Sequence, residues 1–190
     1  MLANHVHTYL LEKLKSNDIL NYLEIGVFDG DNLHILSNLF TNKYFYGVDP
    51  FIEDGYTSPI TNVQAGESIV SLKSECNEKF KNKNNVKLFE IDSTIFNKNL
   101  SIEESQNLDI NIVFIDGNHH SPYVQNDVDL ALKLIGNKNG VFIIDDIDVE
   151  DVNKAMNYAI KQTKNRLCGG EFIQTNAFAF EVEKLFKTII

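Results

Sequence analysis

Along the chain, short runs of apolar residues alternate with longer stretches in which apolar positions recur every three or four residues. The runs at 20–25, 44–48, 86–91, 110–115 and 141–144 have the length of buried strands. Helical periodicity falls between them, over 32–40, 65–80, 123–135 and 149–163. Parallel strands need long crossovers, so this alternation predicts an α/β fold with a mostly parallel sheet covered on both faces. Ahead of the first strand, Val6, Leu10, Leu11 and Leu14 share one face of a helix within 1–17. At the other end, 171–174 and 177–182 flank Thr175-Asn176 as a hairpin that closes the sheet antiparallel. No internal repeat or Pro/Ser-rich linker interrupts the pattern, so 1–190 reads as a single domain. The long connection 51–68, with Gly55, Pro59 and Gly66, is a candidate lid.

Composition narrows the classes. With 43% hydrophobic and 23% charged residues, the 190-residue chain is globular rather than disordered. A formal charge of -10 repels phosphate backbones and anionic lipid, which argues against nucleic acid or membrane partners. The basic stretch Lys79, Lys81, Lys83 and Lys87 is interleaved with Asn and reads as a solvated helix end. The first residues lack a cationic start and an apolar core, so the expected location is the cytoplasm. Cys76 and Cys168 have no zinc-like spacing, which fits a reducing compartment. A small-molecule substrate is the expected partner, with a homo-oligomer left open.

Ligands of open parallel sheets collect at the carboxyl ends of the strands, and here those ends are acidic. After the first strand comes Glu24-Ile25-Gly26-Val27-Phe28-Asp29-Gly30, then a helix. Gly26 permits a tight turn and Gly30 a close passage beside a ligand. Glu24 occupies the first glycine position of a dinucleotide fingerprint, which favours a cationic or amino-acid-bearing ligand over a pyrophosphate. Asp49, at the end of the second strand, is placed to accept the hydroxyls of a ribose. Asp92 and the amide that follows it, at Ser93, are placed to meet an adenine edge, although either Asp also suits a helix cap. The fourth strand ends Asp116-Gly117-Asn118-His119-His120 and the fifth Asp145-Asp146. Three carboxylates and an imidazole converging there repel strongly unless a proton or cation compensates, and a hard ion such as Mg2+ meets that need. The competing reading has Asp145, Asp146 and Asp148 capping the next helix, and for Asp148 it is the preferred one.

The alternation together with E-x-G-x-x-x-G, Asp49 and Asp92-Ser93 resembles the class I S-adenosylmethionine-dependent methyltransferases, over nearly the whole chain. The segment FIDGNHHSPYVQNDVDLALKLIGNKNGVFIIDDI is similar to macrocin-type small-molecule and sugar O-methyltransferases, whose pattern is I-D-G-x-H, a helix with V-x-x-D, then G-G-x-x-x-x-D-D. Asp116, Gly117, His119, Val124, Asp127, Gly140, Asp145 and Asp146 match it. Ser121 stands where the family has Tyr, with Tyr123 displaced, and Asn137-Lys138-Asn139-Gly140 replaces Pro-Gly-Gly. The resemblance implies a three-layer Rossmann-like fold with a seven-stranded sheet. It also implies S-adenosylmethionine as methyl donor, a sugar, nucleotide-sugar or catechol-like acceptor, Mg2+ at Asp116, Asp145 and Asp146, and His119 as base beside Asp116. The alternatives are a nicotinamide-dependent oxidoreductase, against which Glu24 speaks, and a nucleoside-binding module without catalysis.

Overall fold

The computed structural model describes residues 4–16, 20–51, 68–174 and 176–184. The candidate lid lies outside the described residues except at its ends, Phe51 and Ser68. In chain order the elements are α1 (Asn4–Leu14), β1 (Asn21–Ile25), α2 (Asp31–Leu39), β2 (Phe45–Val48), α3 (Ser68–Phe80), β3 (Val86–Phe89), α4 (Ser93–Asn99) and α5 (Ile102–Asn107). There follow β4 (Ile110–Ile115), α6 (Tyr123–Ile135), β5 (Gly140–Ile144), α7 (Glu150–Thr163), β6 (Leu167–Gln174) and β7 (Ala177–Val182).

The strands form one seven-stranded sheet in the order β3-β2-β1-β4-β5-β7-β6, parallel except for β7, which runs antiparallel to both β5 and β6. This is the expected α/β, Rossmann-like architecture with an antiparallel C-terminal hairpin. Residue alternation along β4 shows why helices cover both faces. Ile112 and Phe114 join a core with Leu10, Leu14, Leu33 and Leu36 from α1 and α2. Val113 and Ile115 join the opposite core with Phe96 of α4, Val128 and Leu134 of α6, and Val152 of α7. Burying each large apolar side chain contributes roughly 1.5–3 kcal/mol, so the two faces together dominate stability.

Two short helices, α4 and α5, fall in a region where no helix is expected from periodicity, because each is shorter than the window that periodicity needs. Local capping explains them. Asp92 accepts from the Thr94 and Ile95 amides, and Ser101 with Glu104 closes a reciprocal capping box. Strand β6 begins at Leu167, four residues before the expected 171, running through Cys168-Gly169-Gly170. An edge strand tolerates those glycines, and a Cβ on Gly170 would press on the Phe178 ring at 3.0 Å. Stacked Phe142 and Phe180, with centroids 4.5 Å apart, fasten β5 to β7.

The register at the carboxyl edge positions the site. Ile25 pairs with Val48 and Ile115, and Ile115 with Ile144. One residue further on, the Gly26 amide donates to the Val48 carbonyl, Asp116 to Ile25 and Asp145 to Ile115. The first residues beyond β1, β4 and β5 therefore emerge side by side at the switch point where α/β sheets bind ligands.

Candidate active site

The loop between β1 and α2 is held by a carboxylate rather than by its own sequence alone. Asp49 Oδ2 accepts from the amides of Val27 (2.9 Å) and Phe28 (3.1 Å), and its Oδ1 accepts from the Phe51 amide (2.8 Å). An ionised carboxyl group offers about four lone-pair positions, so Asp49 organises the loop and keeps limited capacity for ligand hydroxyls. Gly26 adopts φ 88, and a Cβ built on it would lie 2.1 Å from the Asp116 carbonyl oxygen. The loops after β1 and β4 thus touch backbone to backbone there. Gly30, at φ 77, is required for another reason: a Cβ would meet Cys76 Sγ and the Phe80 ring of α3 at 2.8 Å. Its contact is helix packing, whereas the sequence reading had it facing a ligand.

Glu24 is only 4% exposed. Asn32 Nδ2, from the first turn of α2, donates to Glu24 Oε2 at 3.0 Å and to the Tyr22 hydroxyl at 2.9 Å. Burial holds the Glu24 pKa well above the usual carboxyl range, and the nearby charges of Asp116 and Asp49 push it the same way. Three acidic groups facing one another in this manner favour a ligand with positive charge.

At the end of β3, Asp92 Oδ1 accepts from the Thr94 amide at 2.8 Å and from the Thr94 hydroxyl. This side chain caps α4, which was the competing sequence reading, and Ser93 is the first residue of that helix.

Asp116, His119 and Asp146 form a compact cluster whose ligand-capable atoms lie within 4.8 Å of one another. His119 Nε2 is 3.8 Å from Asp116 Oδ1 and 3.5 Å from Asp146 Oδ2. That nitrogen is buried and has no hydrogen-bond partner among the described residues. The Asp116 carboxylate, ahead of Asp146 and Asp145, raises the pKa of His119 despite its burial. Burial raises that of Asp116. Asp145 stands beside the cluster and not within it: its Oδ1 accepts from the Asp146 amide at 2.9 Å. Asp146, at φ 55, takes a left-handed conformation that Asp tolerates. Its Oδ1 accepts from Asn176 Nδ2 at 3.0 Å, so the β6–β7 turn orients it. The neighbouring His120 is exposed. Sequence pattern offered no role for Asn32 or Asn176, because single Asn residues in a helix turn and a hairpin turn carry no signal of which carboxylate they will meet.

The Gly26 turn, Asp49 and the acids that follow β4 and β5 lie along the carboxyl edge of the sheet. A family model described as a methyltransferase domain matches residues 23–147, from β1 to just past β5. The chain belongs to this methyltransferase family, and S-adenosylmethionine is the donor that membership implies. It is also 30% identical over 145 residues to the uncharacterized protein R132 of Acanthamoeba polyphaga mimivirus, a match covering 75% of this chain and 59% of that protein. Among solved structures it is similar to the O-methyltransferase NovP, with a TM-score of 0.64 and 13% identity over 95% of this chain and 80% of that one. It is likewise similar to CalS11, the TDP-rhamnose 3'-O-methyltransferase of calicheamicin biosynthesis, at TM-score 0.60 and 14% identity over 93% and 77% of the two chains. A precorrin-6y C5,15-methyltransferase from Geobacter metallireducens GS-15 matches at TM-score 0.61 and 16% identity over 97% and 90%. At such identities the likeness is one of fold. No helix among the described residues is long and apolar enough to cross a membrane.

Proposed function

We propose that this methyltransferase moves the methyl group of S-adenosylmethionine to a hydroxyl of a small acceptor, a sugar, nucleotide-sugar or other vicinal diol or catechol. In this reading Asp116 and Asp146, with Asp145 beside them, would hold Mg2+, and His119 is the base. The observation that carries it is the buried His119 Nε2, without a hydrogen bond among the described residues and set between the carboxylates of Asp116 and Asp146, on the loop whose Asp116 backbone meets Gly26. The carboxylates of Asp116 and Asp146 suit a hard ion such as Mg2+ or Mn2+, which would stabilise a developing alkoxide and leave the His119 nitrogen free for the proton. The naming of CalS11 as a sugar O-methyltransferase supports the acceptor class.

The chain's own residues do the positioning. Glu24 and Asp49 face the amino-acid and ribose portions of the donor, and Asp92 and Ser93 its base. The acceptor oxygen forms a bond to the methyl carbon as the carbon–sulfur bond breaks, its electrons going to sulfur, so in-line placement dominates the rate. The leaving proton passes to His119 Nε2. Asp116 and Asp146 favour the protonated imidazole, so positive charge among them would lower its pKa and return it to the neutral form that can accept a proton. The two free cysteines and the charge of -10 fit a cytoplasmic enzyme that binds neither nucleic acid nor membrane.

Calorimetric titration with S-adenosylmethionine and then NADH tests the donor. Binding of the first and not the second is expected, and Asp49→Ala should weaken it by about 1–3 kcal/mol. Preference for NADH would return the oxidoreductase alternative. With an acceptor in hand, His119→Ala should lower kcat by about 10²- to 10⁴-fold with donor affinity retained. Full turnover in chelator would exclude a role for the metal.

A further inference from the structure

The loop that carries His119 is fastened at both ends. At its start the Asp116 amide donates to the Ile25 carbonyl of β1 at 2.9 Å. At its far end the Ser121 amide donates at 3.0 Å to Oδ2 of Asp151, a side chain 30 residues further along the chain in the first turn of α7. Between these points Asn118 Oδ1 accepts from the His120 amide at 3.0 Å, which folds the turn locally.

Its place in the helix does not by itself account for Asp151. Acids in a first turn suit the helix dipole, and α7 has a second one, Glu150, whose carboxylate meets Lys154 at 2.8 Å and is 85% exposed. Asp151 meets the same lysine through Oδ1 at 3.2 Å, yet its side chain is only 30% exposed and its other oxygen reaches across to a different loop. The Ser121 amide, ahead of Lys154, holds the Asp151 carboxyl below the usual carboxylate range, so the bond is charge-assisted. Helix α7 is in turn tied to the other half of the reaction centre, because the Val149 amide at its cap donates to the Asp146 carbonyl at 2.9 Å. A closed circuit results. It runs from Asp146 through Val149 and Asp151 to Ser121, and back along the loop to His119, whose Nε2 lies 3.5 Å from Asp146 Oδ2.

We propose that Asp151 is a positioning residue for the reaction centre: by accepting the Ser121 amide it latches the loop that carries Asp116 and His119 to the helix that follows Asp146, and so sets the spacing of the three side chains. The inference rests on the functional reading that makes His119 the base beside Asp116 and Asp146. It extends that reading to a residue that touches none of the three. An amide oxygen also accepts an N–H, so Asn should preserve the latch and Ala should not.

The test compares wild type, Asp151→Ala, Asp151→Asn and Glu150→Ala in two measurements that need no turnover. One is the rate at which diethyl pyrocarbonate modifies His119, read residue by residue by mass spectrometry against exposed His5 of α1. The other is Mn2+ affinity by electron paramagnetic resonance. The buried Nε2 should make His119 slow in wild type. Asp151→Ala should speed it about fivefold, the order by which loss of one hydrogen bond shifts a local opening, and should weaken Mn2+ severalfold as the loops bearing Asp116 and Asp146 part. Alanine favours a helix at this partly exposed position, so the variant folds. Asp151→Asn should stay within about twofold of wild type in both measurements, and Glu150→Ala, which keeps the Ser121 bond, should match wild type. A role confined to helix stability would lower the melting temperature of both Ala variants alike and leave both measurements in place, which overturns the proposal. So would an unchanged His119 rate or Mn2+ affinity in Asp151→Ala, or an effect of Asp151→Asn equal to that of Asp151→Ala, which would assign the change to charge at the helix start. These results, in a wild type that binds Mn2+ and, by calorimetry, S-adenosylhomocysteine, refute the latch alone. A wild type that binds neither refutes the functional reading and this inference with it.

Discussion

Asp127 shows how a buried carboxyl group adds to the pH response of the fold. Desolvation raises the pKa of this buried group from the ordinary 3.8 to about 6, outweighing the hydrogen bond from Asn126. The native protein therefore binds a proton more tightly than the unfolded chain, and stability falls as pH rises through the interval between those values. At 1.36 kcal/mol per pH unit, the penalty above pH 6 is on the order of 3 kcal/mol. Asp127→Asn has no such proton to lose. It should gain on wild type by about that amount between pH 4 and pH 7 in urea denaturation; an equal difference at both pH values would show the group titrating normally.

Among the elements, the crossing of the β1–α2 and β4–α6 loops is the least tolerant of change. Gly26→Ala would place a methyl carbon inside the Asp116 carbonyl and force φ 88 on a residue that avoids it. We expect destabilisation of about 2 kcal/mol or more, a fall of at least about 4 °C in melting temperature, together with weaker donor binding. A variant that melts like wild type would mean that the two loops separate freely. The C-terminal hairpin has its own clamp. Arg166, the chain's single arginine, donates to the carbonyls of Gly136 (2.6 Å), Lys138 (2.8 Å) and Glu183 (2.9 Å). A lysine presents a point charge in place of a planar fork and cannot span all three. Arg166→Lys should cost about 1–3 kcal/mol in chemical denaturation, and a cost under about 0.5 kcal/mol would show that solvent satisfies those carbonyls.

For the whole molecule, the charge of -10 is concentrated in part at one edge of the sheet, where acids from β1, β2, β4 and β5 meet. A cation bound there stabilises the folded state by mass action. At ten times its Kd, Mg2+ or Mn2+ should contribute about 1.4 kcal/mol, which raises the melting temperature of a 190-residue chain by roughly 3–6 °C. Asp146→Asn should abolish the rise, and NaCl at equal ionic strength should not reproduce it. An equal effect from NaCl would reduce the interaction to screening.

Strand identity, the α/β class and the placement of acids after each strand were legible in the chain because they depend on local period and on which residue follows an apolar run. The C-terminal hairpin and the span of α6 follow from the same local rules, and the fold agrees with both. Helices α4 and α5 left only capping signals at Asp92 and at Ser101 with Glu104, too short a pattern for periodicity to register. Which acids meet was another matter. Asp146 and not Asp145 faces His119 because a left-handed backbone turns it there and Asn176, 30 residues later, holds it. Asp49 clamps the β1 loop, and Asn32 holds Glu24. Each of these pairings joins residues distant in sequence through hydrogen bonds whose geometry exists only once the sheet register is set, so the tertiary structure alone decided them.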